Sequence, residues 1–266
     1  MGTKMINAIV FSKDRACQLD AFLRTWGMFC NTPIKALCHA SANEYRAGYD
    51  RLVGCTMQTD FRADVLRMID PDEPYTVFFV DDMLIRKRID WHDPIFFSAL
   101  ESNEDVLCAS LRLAPTFRYS YNLARKIETP QFDDYTEWLE WSWRGHRGEW
   151  GYPMSTDGHI FRTSDLLPIL QEADFRSPNT MELAMSQKPI DRPLMACFRD
   201  GPYTMNIPAN LVQRDFRNRT CRGKGTHELN EAFLAGKRIR IGPLLAIEPI
   251  ACHTAAQYEM ESSCVF

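Results

Sequence analysis

Tyr75–Val80 is the feature that most constrains this chain: six consecutive β-branched and aromatic residues, YTVFFV, that stop abruptly at the paired carboxylates Asp81 and Asp82. Thr, Val, Phe and Tyr favour extended backbone packed into an interior, so the run predicts a buried strand. Two adjacent carboxylates at the carboxyl end of such a strand are costly unless positive charge lies beside them, and a divalent cation meets that need.

The elements around this strand set its context. Met5 to Phe11 is a short run rich in Ile, Val and Phe that empties into Ser12-Lys13-Asp14-Arg15, a strand followed by a polar loop. From Ala16 to Phe29 the residues Leu19, Phe22, Leu23 and Trp26 recur at helical steps, which predicts an amphipathic helix. Further strands are expected over Ile34 to His39, Val106 to Leu113 and Gly158 to Phe161. Helices are expected over Phe61 to Met68, Asp93 to Glu101, Ser164 to Glu172, Asn179 to Met185 and Thr226 to Ala235, with Gly236 placed to end the last. Residues 43–54 read as irregular or weakly helical. The alternation through Leu113 is that of an α/β sheet, in which ligands bind at the carboxyl ends of the strands. Ser12 to Arg15 and Asp81-Asp82 share that edge if their strands are neighbours.

Two segments break the rhythm. Phe132 to Tyr152 crowds Trp138, Trp141, Trp143 and Trp150 among charged residues and glycine. Flat apolar faces of this kind stack on sugar rings or bases, and they equally pack a core. From Asn206 the chain turns basic, with Arg214, Arg217, Arg219, Arg222 and Lys224; such a run is either a solvated face or a source of phosphate contacts.

At 266 residues the chain is read as one large α/β domain, 1–115 holding the nucleotide and 116–266 the acceptor and a C-terminal elaboration. A formal net charge of −4 argues against nonspecific nucleic-acid binding by the whole surface. Nine cysteines without a C-x-x-C pair fit neither a zinc ribbon nor a disulfide framework and point to a reducing cytoplasm. No segment is long and apolar enough for a signal core or a membrane span, and the Asn218-Arg219-Thr220 sequon is read as accidental.

VFFVDDMLI resembles the Asp-x-Asp region of GT-A-type glycosyltransferases, with Met83 at the third acidic position of the common form, and IVFSKDRACQLDAFLRTW resembles their first strand, nucleotide-contact loop and helix. NIPANLVQRDFRNR and IACH resemble C-terminal elements of such enzymes. The resemblance implies a GT-A-like, Rossmann-type mixed sheet flanked by helices. It implies Mn²⁺ or Mg²⁺ held by Asp82 as first ligand and Asp81 as second, with His253 completing the shell, and a nucleoside-diphosphate sugar, a UDP-sugar first, against Phe11, Ser12, Asp14, Arg15 and Asp81. Hard cations of this kind bind through few carboxylates plus substrate phosphates.

If the reaction inverts the anomeric carbon, a carboxylate must accept the proton of the acceptor hydroxyl. Asp157, in a loop before a strand, and Glu182, near a helix start, are the candidates. Trp141, Trp150 and Tyr152 are the candidate acceptor platform. A surface saccharide is the preferred acceptor, with hydroxymethylated bases in DNA as the alternative. A sugar nucleotidyltransferase is disfavoured because SKDR replaces the glycine-rich activating loop; a non-catalytic sugar-binding or scaffold domain is the rival outside enzymology.

Overall fold

The computed structural model describes residues 6–188, 191–213, 218–221 and 223–262. The expectations placed on Met5 and on Arg214, Arg217 and Arg222 lie outside these residues. The chain opens as β1 (Ile6–Lys13), α1 (Ala16–Phe29), β2 (Lys35–His39), α2 (Asn43–Tyr49), β3 (Cys55–Met57), α3 (Phe61–Met68) and β4 (Tyr75–Val80). Strands β3, β2, β1 and β4 lie side by side and all parallel. The central strands β1 and β4 are mostly apolar because both faces of the sheet are covered there. Ile6, Ala8 and Val10 face the core beneath α1, whereas Ile9 and Phe11 face the core shared with α3.

The second half completes the same sheet. It runs through β5 (Met83–Ile85), α4 (Ile95–Ser102), β6 (Val106–Ser110), β7 (Tyr119–Ser120), β8 (Arg125–Lys126), β9 (Asp133–Asp134) and β10 (Trp138–Ser142), followed by a 3₁₀ turn at Gly148–Gly151. Then come β11 (His159–Arg162), α5 (Thr163–Glu172), α6 (Pro178–Ser186) and β12 (Leu194–Phe198). The nine-stranded order is β3-β2-β1-β4-β11-β6-β12-β10-β9. Strand β11 inserts antiparallel between β4 and β6, and β12 runs parallel to β6. A plain βαβ alternation does not anticipate this insertion. Its consequence is geometric: the amino end of β11 emerges where the carboxyl ends of β1, β4 and β6 do. Gly158 makes the turn into β11 at φ +76°, a left-handed conformation in which a side chain is strained.

The expected C-terminal elaboration is present. It comprises β13 (Thr204–Asn206) paired with β5, α7 (Thr226–Leu234), α8 (Ile241–Leu245), and a β14 (Lys237–Ile239) and β15 (Met260–Ser262) ribbon. Gly236 follows α7 at φ +80°, the left-handed cap expected of it. Residues 43–49, read as irregular or weakly helical, form α2, and the strands β5, β12, β13, β14 and β15 had no counterpart in the sequence reading. No helix among the described residues is long and apolar enough to cross a membrane.

The tryptophan-rich segment is a packing element. Trp141 and Trp150 are 1% and 0% exposed, their rings meet edge to face at 5.1 Å, and Phe132 packs edge-on against both. Trp141 Nε1 donates to the Trp150 carbonyl at 2.9 Å. Neither ring offers a face to a ligand, which corrects their assignment as acceptor platforms; sequence spacing does not distinguish a tryptophan that fills a core from one that lines a groove. Trp141→Ala is therefore expected to lower unfolding free energy by about 3–5 kcal/mol in urea denaturation, the cost of emptying a large aromatic site. A loss below about 0.5 kcal/mol, the level of a surface ring, would contradict this placement.

Candidate functional site

A cleft of about 960 Å³ opens at the sheet edge where β1, β4 and β6 end and β11 begins. Its first wall centres on Asp81, which is buried. One Asp81 oxygen accepts from Ser12 Oγ at 2.7 Å and Lys13 N at 3.2 Å; the other accepts from Arg15 Nη1 at 2.9 Å. The same Arg15 nitrogen reaches Asp82 Oδ2 at 3.2 Å, and Arg15 Nε donates to Asn210 Oδ1 at 2.9 Å. Tyr49 Oη lies 2.7 Å from Ser12 Oγ and accepts from Arg15 N at 3.0 Å. Burial, reinforced by Asp82 and opposed by Arg15, pushes the Asp81 carboxyl up to about 6. It remains ionised at neutral pH beside Arg15, which burial would destabilise but which Asp81 and Asp82 hold firmly protonated. The positive charge required beside the acidic pair is thus supplied first by the chain itself.

Asp14 has a different task from the one expected of it. Its φ of 56° is left-handed, a conformation that Asp tolerates better than most residues. Its carboxylate accepts from Ser41 N at 2.6 Å and Ser41 Oγ at 2.8 Å, and its own N–H donates to the His39 carbonyl at 3.0 Å. Asp14 fastens the β1–α1 loop to the end of β2, and it does not line the cleft.

Asp82 turns toward the C-terminal elaboration. Its carbonyl accepts from Ile207 N at 2.8 Å, and Asn206 Nδ2 approaches its Oδ1 at 3.4 Å. Asn206 in turn bridges to His253, with Asn206 N donating to the Cys252 carbonyl at 3.0 Å and Thr254 N donating to the Asn206 carbonyl at 2.8 Å. Asp82 and His253 therefore lie on either side of Asn206, both lining the cleft. His253 Nδ1 is buried without a hydrogen-bond partner, and burial, aided by Arg112, holds the imidazole neutral by pushing it down to about 3. Asn206 Oδ1 is likewise buried and unpartnered.

The loop before β11 and helix α6 bring both expected base candidates to the same cleft. Asp157, at the turn into β11, accepts from Arg112 Nη1 at 2.6 Å. Burial is the main cause that raises its carboxyl to about 7; Arg112 opposes, while Glu182 and Asp82 add to the rise. Glu182 on α6 is differently used. Its Oε1 accepts from Thr156 N at 2.6 Å, Thr156 Oγ1 at 2.9 Å and Ser155 Oγ at 3.3 Å, and its Oε2 from Tyr152 Oη at 3.0 Å. Four donors hold Glu182 as a bracket for the loop carrying Asp157. Buried Glu149, on the 3₁₀ turn, accepts from Ser120 Oγ at 2.9 Å.

Phe11, Ser12, Arg15, Asp81, Asp82, Tyr152, Asp157, Glu182 and His253 thus all line one cleft, whereas Asp14, Trp141 and Trp150 do not. Of the basic run, Arg219 lines it too; Arg219 donates to Tyr119 Oη at 3.1 Å and lies over the Tyr121 ring. Sequence reasoning missed Arg112, Asn206, Asn210 and Glu149. Arg112 carried one usable signal, a charged residue two positions beyond the buried strand β6, the relation that Asp82 bears to β4. Asn206 and Asn210 carried none, because their role arises from pairing with β5 and with α1 across more than a hundred residues.

No family model matches the sequence, and no curated protein matches it. Among solved structures, S. aureus TarS aligns with 76% of this chain and 36% of its own, at 13% identity and a TM-score of 0.46. TarS 1-349 in complex with UDP-GlcNAc aligns with 81% of this chain and 60% of its own, at 12% identity and a TM-score of 0.45. The complex of the same fragment with UDP gives 76%, 60%, 12% and 0.43. The chain therefore spans from about a third to three fifths of the length of these proteins.

Removing Arg15 leaves buried Asp81 without its counter-charge. Arg15→Ala is expected to cost about 3–5 kcal/mol of stability, the usual consequence of breaking a buried pair from one side. Chemical denaturation checks this, and a loss under about 1 kcal/mol would show the pair to be a surface contact.

Proposed function

We propose that this chain is a metal-dependent glycosyltransferase of the GT-A type, which moves a sugar from a nucleoside-diphosphate donor to an acceptor hydroxyl. The observation that carries the reading is that the Arg15-anchored acidic pair and the Arg112–Asp157 pair line one cleft. One wall suits a nucleoside diphosphate and the other a proton acceptor. At the donor end, Phe11 and Phe61, with ring centroids 5.2 Å apart, offer an apolar floor for a base. Arg15 and the Ser12–Lys13 backbone lie where phosphates would rest.

The residues present fit a Mn²⁺ or Mg²⁺ ion held in common with phosphates. Asp82 is a hard oxygen donor, and neutral His253 has a buried nitrogen with no partner. Asp81 is saturated by Ser12, Lys13 and Arg15, so it positions Arg15 and is not a ligand. Among the described residues no group of three or more His, Cys, Asp or Glu could enclose an ion, which suits a cation that takes most of its shell from substrate oxygens and water. Bound there, the ion would neutralise charge on the departing diphosphate.

Asp157 is the better base of the two candidates. Glu182 has both oxygens committed to donors, whereas Asp157 gives one oxygen to Arg112 and, pushed up to about 7, has the affinity to take a proton near neutral pH. Its side chain lines the same cleft as Asp82 and lies close enough to it for the two charges to interact, with Asn206 beside both. Free thiols at Cys17, Cys38, Cys108, Cys197 and Cys252, all buried, suit a reducing, cytoplasmic setting.

Two outcomes are expected. In calorimetry, UDP binds with Mn²⁺ at least about tenfold more tightly than without it, a difference of roughly 1.4 kcal/mol, and both Asp82→Ala and His253→Ala abolish the metal-dependent part; affinity indifferent to metal in the parent protein would refute metal-assisted donor binding. The catalytic rate rises with pH through an apparent value near 7 as Asp157 loses its proton. Asp157→Asn lowers it by roughly 10²–10⁴-fold and removes that limb, so an unchanged profile in the variant would transfer the role elsewhere.

A further inference from the structure

Exposed large hydrophobic side chains are ordinary when scattered and informative when gathered. Leu123, Tyr152, Leu183 and Leu211, exposed by 44%, 37%, 45% and 44%, all line the one cleft described above. Three of them form a strip on the acceptor side. Leu123 packs on the 3₁₀ turn, where its Cδ1 would lie 3.2 Å from a Cβ at Gly148. Tyr152 ends the same turn and holds Glu182 at 3.0 Å, and Leu183 is the next residue of α6. Leu211 borders the cleft from the segment that follows Asn210, the residue anchoring Arg15. The strip is continuous with a polar interior, because Tyr152 and Glu182 bracket the loop that carries Asp157.

We propose that the acceptor is amphipathic: a hydroxylated head that reaches Asp157, carrying an apolar aglycone that lies along Leu123, Tyr152 and Leu183. This rests on the glycosyltransferase reading and narrows its acceptor class. A wholly polar saccharide can cover the Tyr152 ring but leaves Leu123 and Leu183 largely in water when bound. An alkyl or aryl group beside the reacting hydroxyl removes them from it, and the affinity gained scales with the apolar area covered.

The test compares octyl β-D-glucopyranoside, kept below its micellar concentration, with methyl β-D-glucopyranoside. Each is titrated by saturation-transfer NMR onto the full chain saturated with UDP and Mn²⁺. The octyl compound should bind roughly tenfold or more tightly than the methyl compound, the order expected when several methylene groups leave water. The double variant Leu123→Ser/Leu183→Ser should reduce that ratio below about threefold while UDP affinity stays at the wild-type value, since both side chains are exposed and lie away from the donor wall. Equal affinity for the two glucosides, or an octyl preference that survives in the double variant, in protein that still binds UDP, overturns the inference and leaves the parent reading standing. Absence of UDP binding by the wild-type chain overturns the parent reading and the inference with it.

Discussion

The buried contact of Arg15 with Asp81 and Asp82 is the interaction on which the rest of the site depends. A strand as apolar as Tyr75–Val80 can end in two carboxylates only if their charge is answered at once, and the answering guanidinium comes from the first turn after β1. The parallel register Phe11↔Val80 brings Ser12, Lys13 and Arg15 alongside Asp81. Asp14, in its left-handed conformation, ties that loop to Ser41 and His39, and Tyr49 closes it from below. With Asp81 saturated, Asp82 is left to face the cleft and the C-terminal elaboration. Breaking such a pair from one side is far more costly than never having buried it, so the loop geometry and the charge distribution of the donor wall stand or fall together.

A second pair, Arg112–Asp157, lines the same cleft, near Asp82. Both pairs arise where a strand leaves the sheet, and the antiparallel course of β11 brings them to the same edge. Burial raises both carboxyls, Asp81 to about 6 and Asp157 to about 7, and their surroundings differ in kind: three donors hold Asp81 beside Asp82, whereas Asp157 lies between Arg112 and two acidic neighbours, Glu182 and Asp82.

Much of this was legible in the sequence, for identifiable reasons. The parallel half was readable because α1 carries Leu19, Phe22 and Trp26 at helical spacing, and because β1 and β4 are uninterrupted apolar runs. The loop Ser12 to Arg15 and the acidic pair were located by where β1 and β4 end, and Asp157 and Glu182 by the loop before β11 and the start of α6. What could not be read depends on contacts distant in sequence. The insertion of β11 between β4 and β6, the pairing of β13 with β5 that sets Asn206 between Asp82 and His253, and the choice between Asp157 and Glu182 all rest on pairings that no local pattern encodes. Trp141 and Trp150 mislead for the converse reason: polar neighbours in sequence suggest exposure, while β10 and the 3₁₀ turn carry the two rings into the core against Phe132.

The most direct measurement is a crystal structure of the chain soaked with UDP and Mn²⁺, with anomalous diffraction used to place the metal. The account predicts one manganese peak contacting an oxygen of Asp82, a nitrogen of His253 and the diphosphate, with Asp81 still paired to Arg15. Manganese bound to Asp81, or a nucleotide lying outside this cleft, would contradict it.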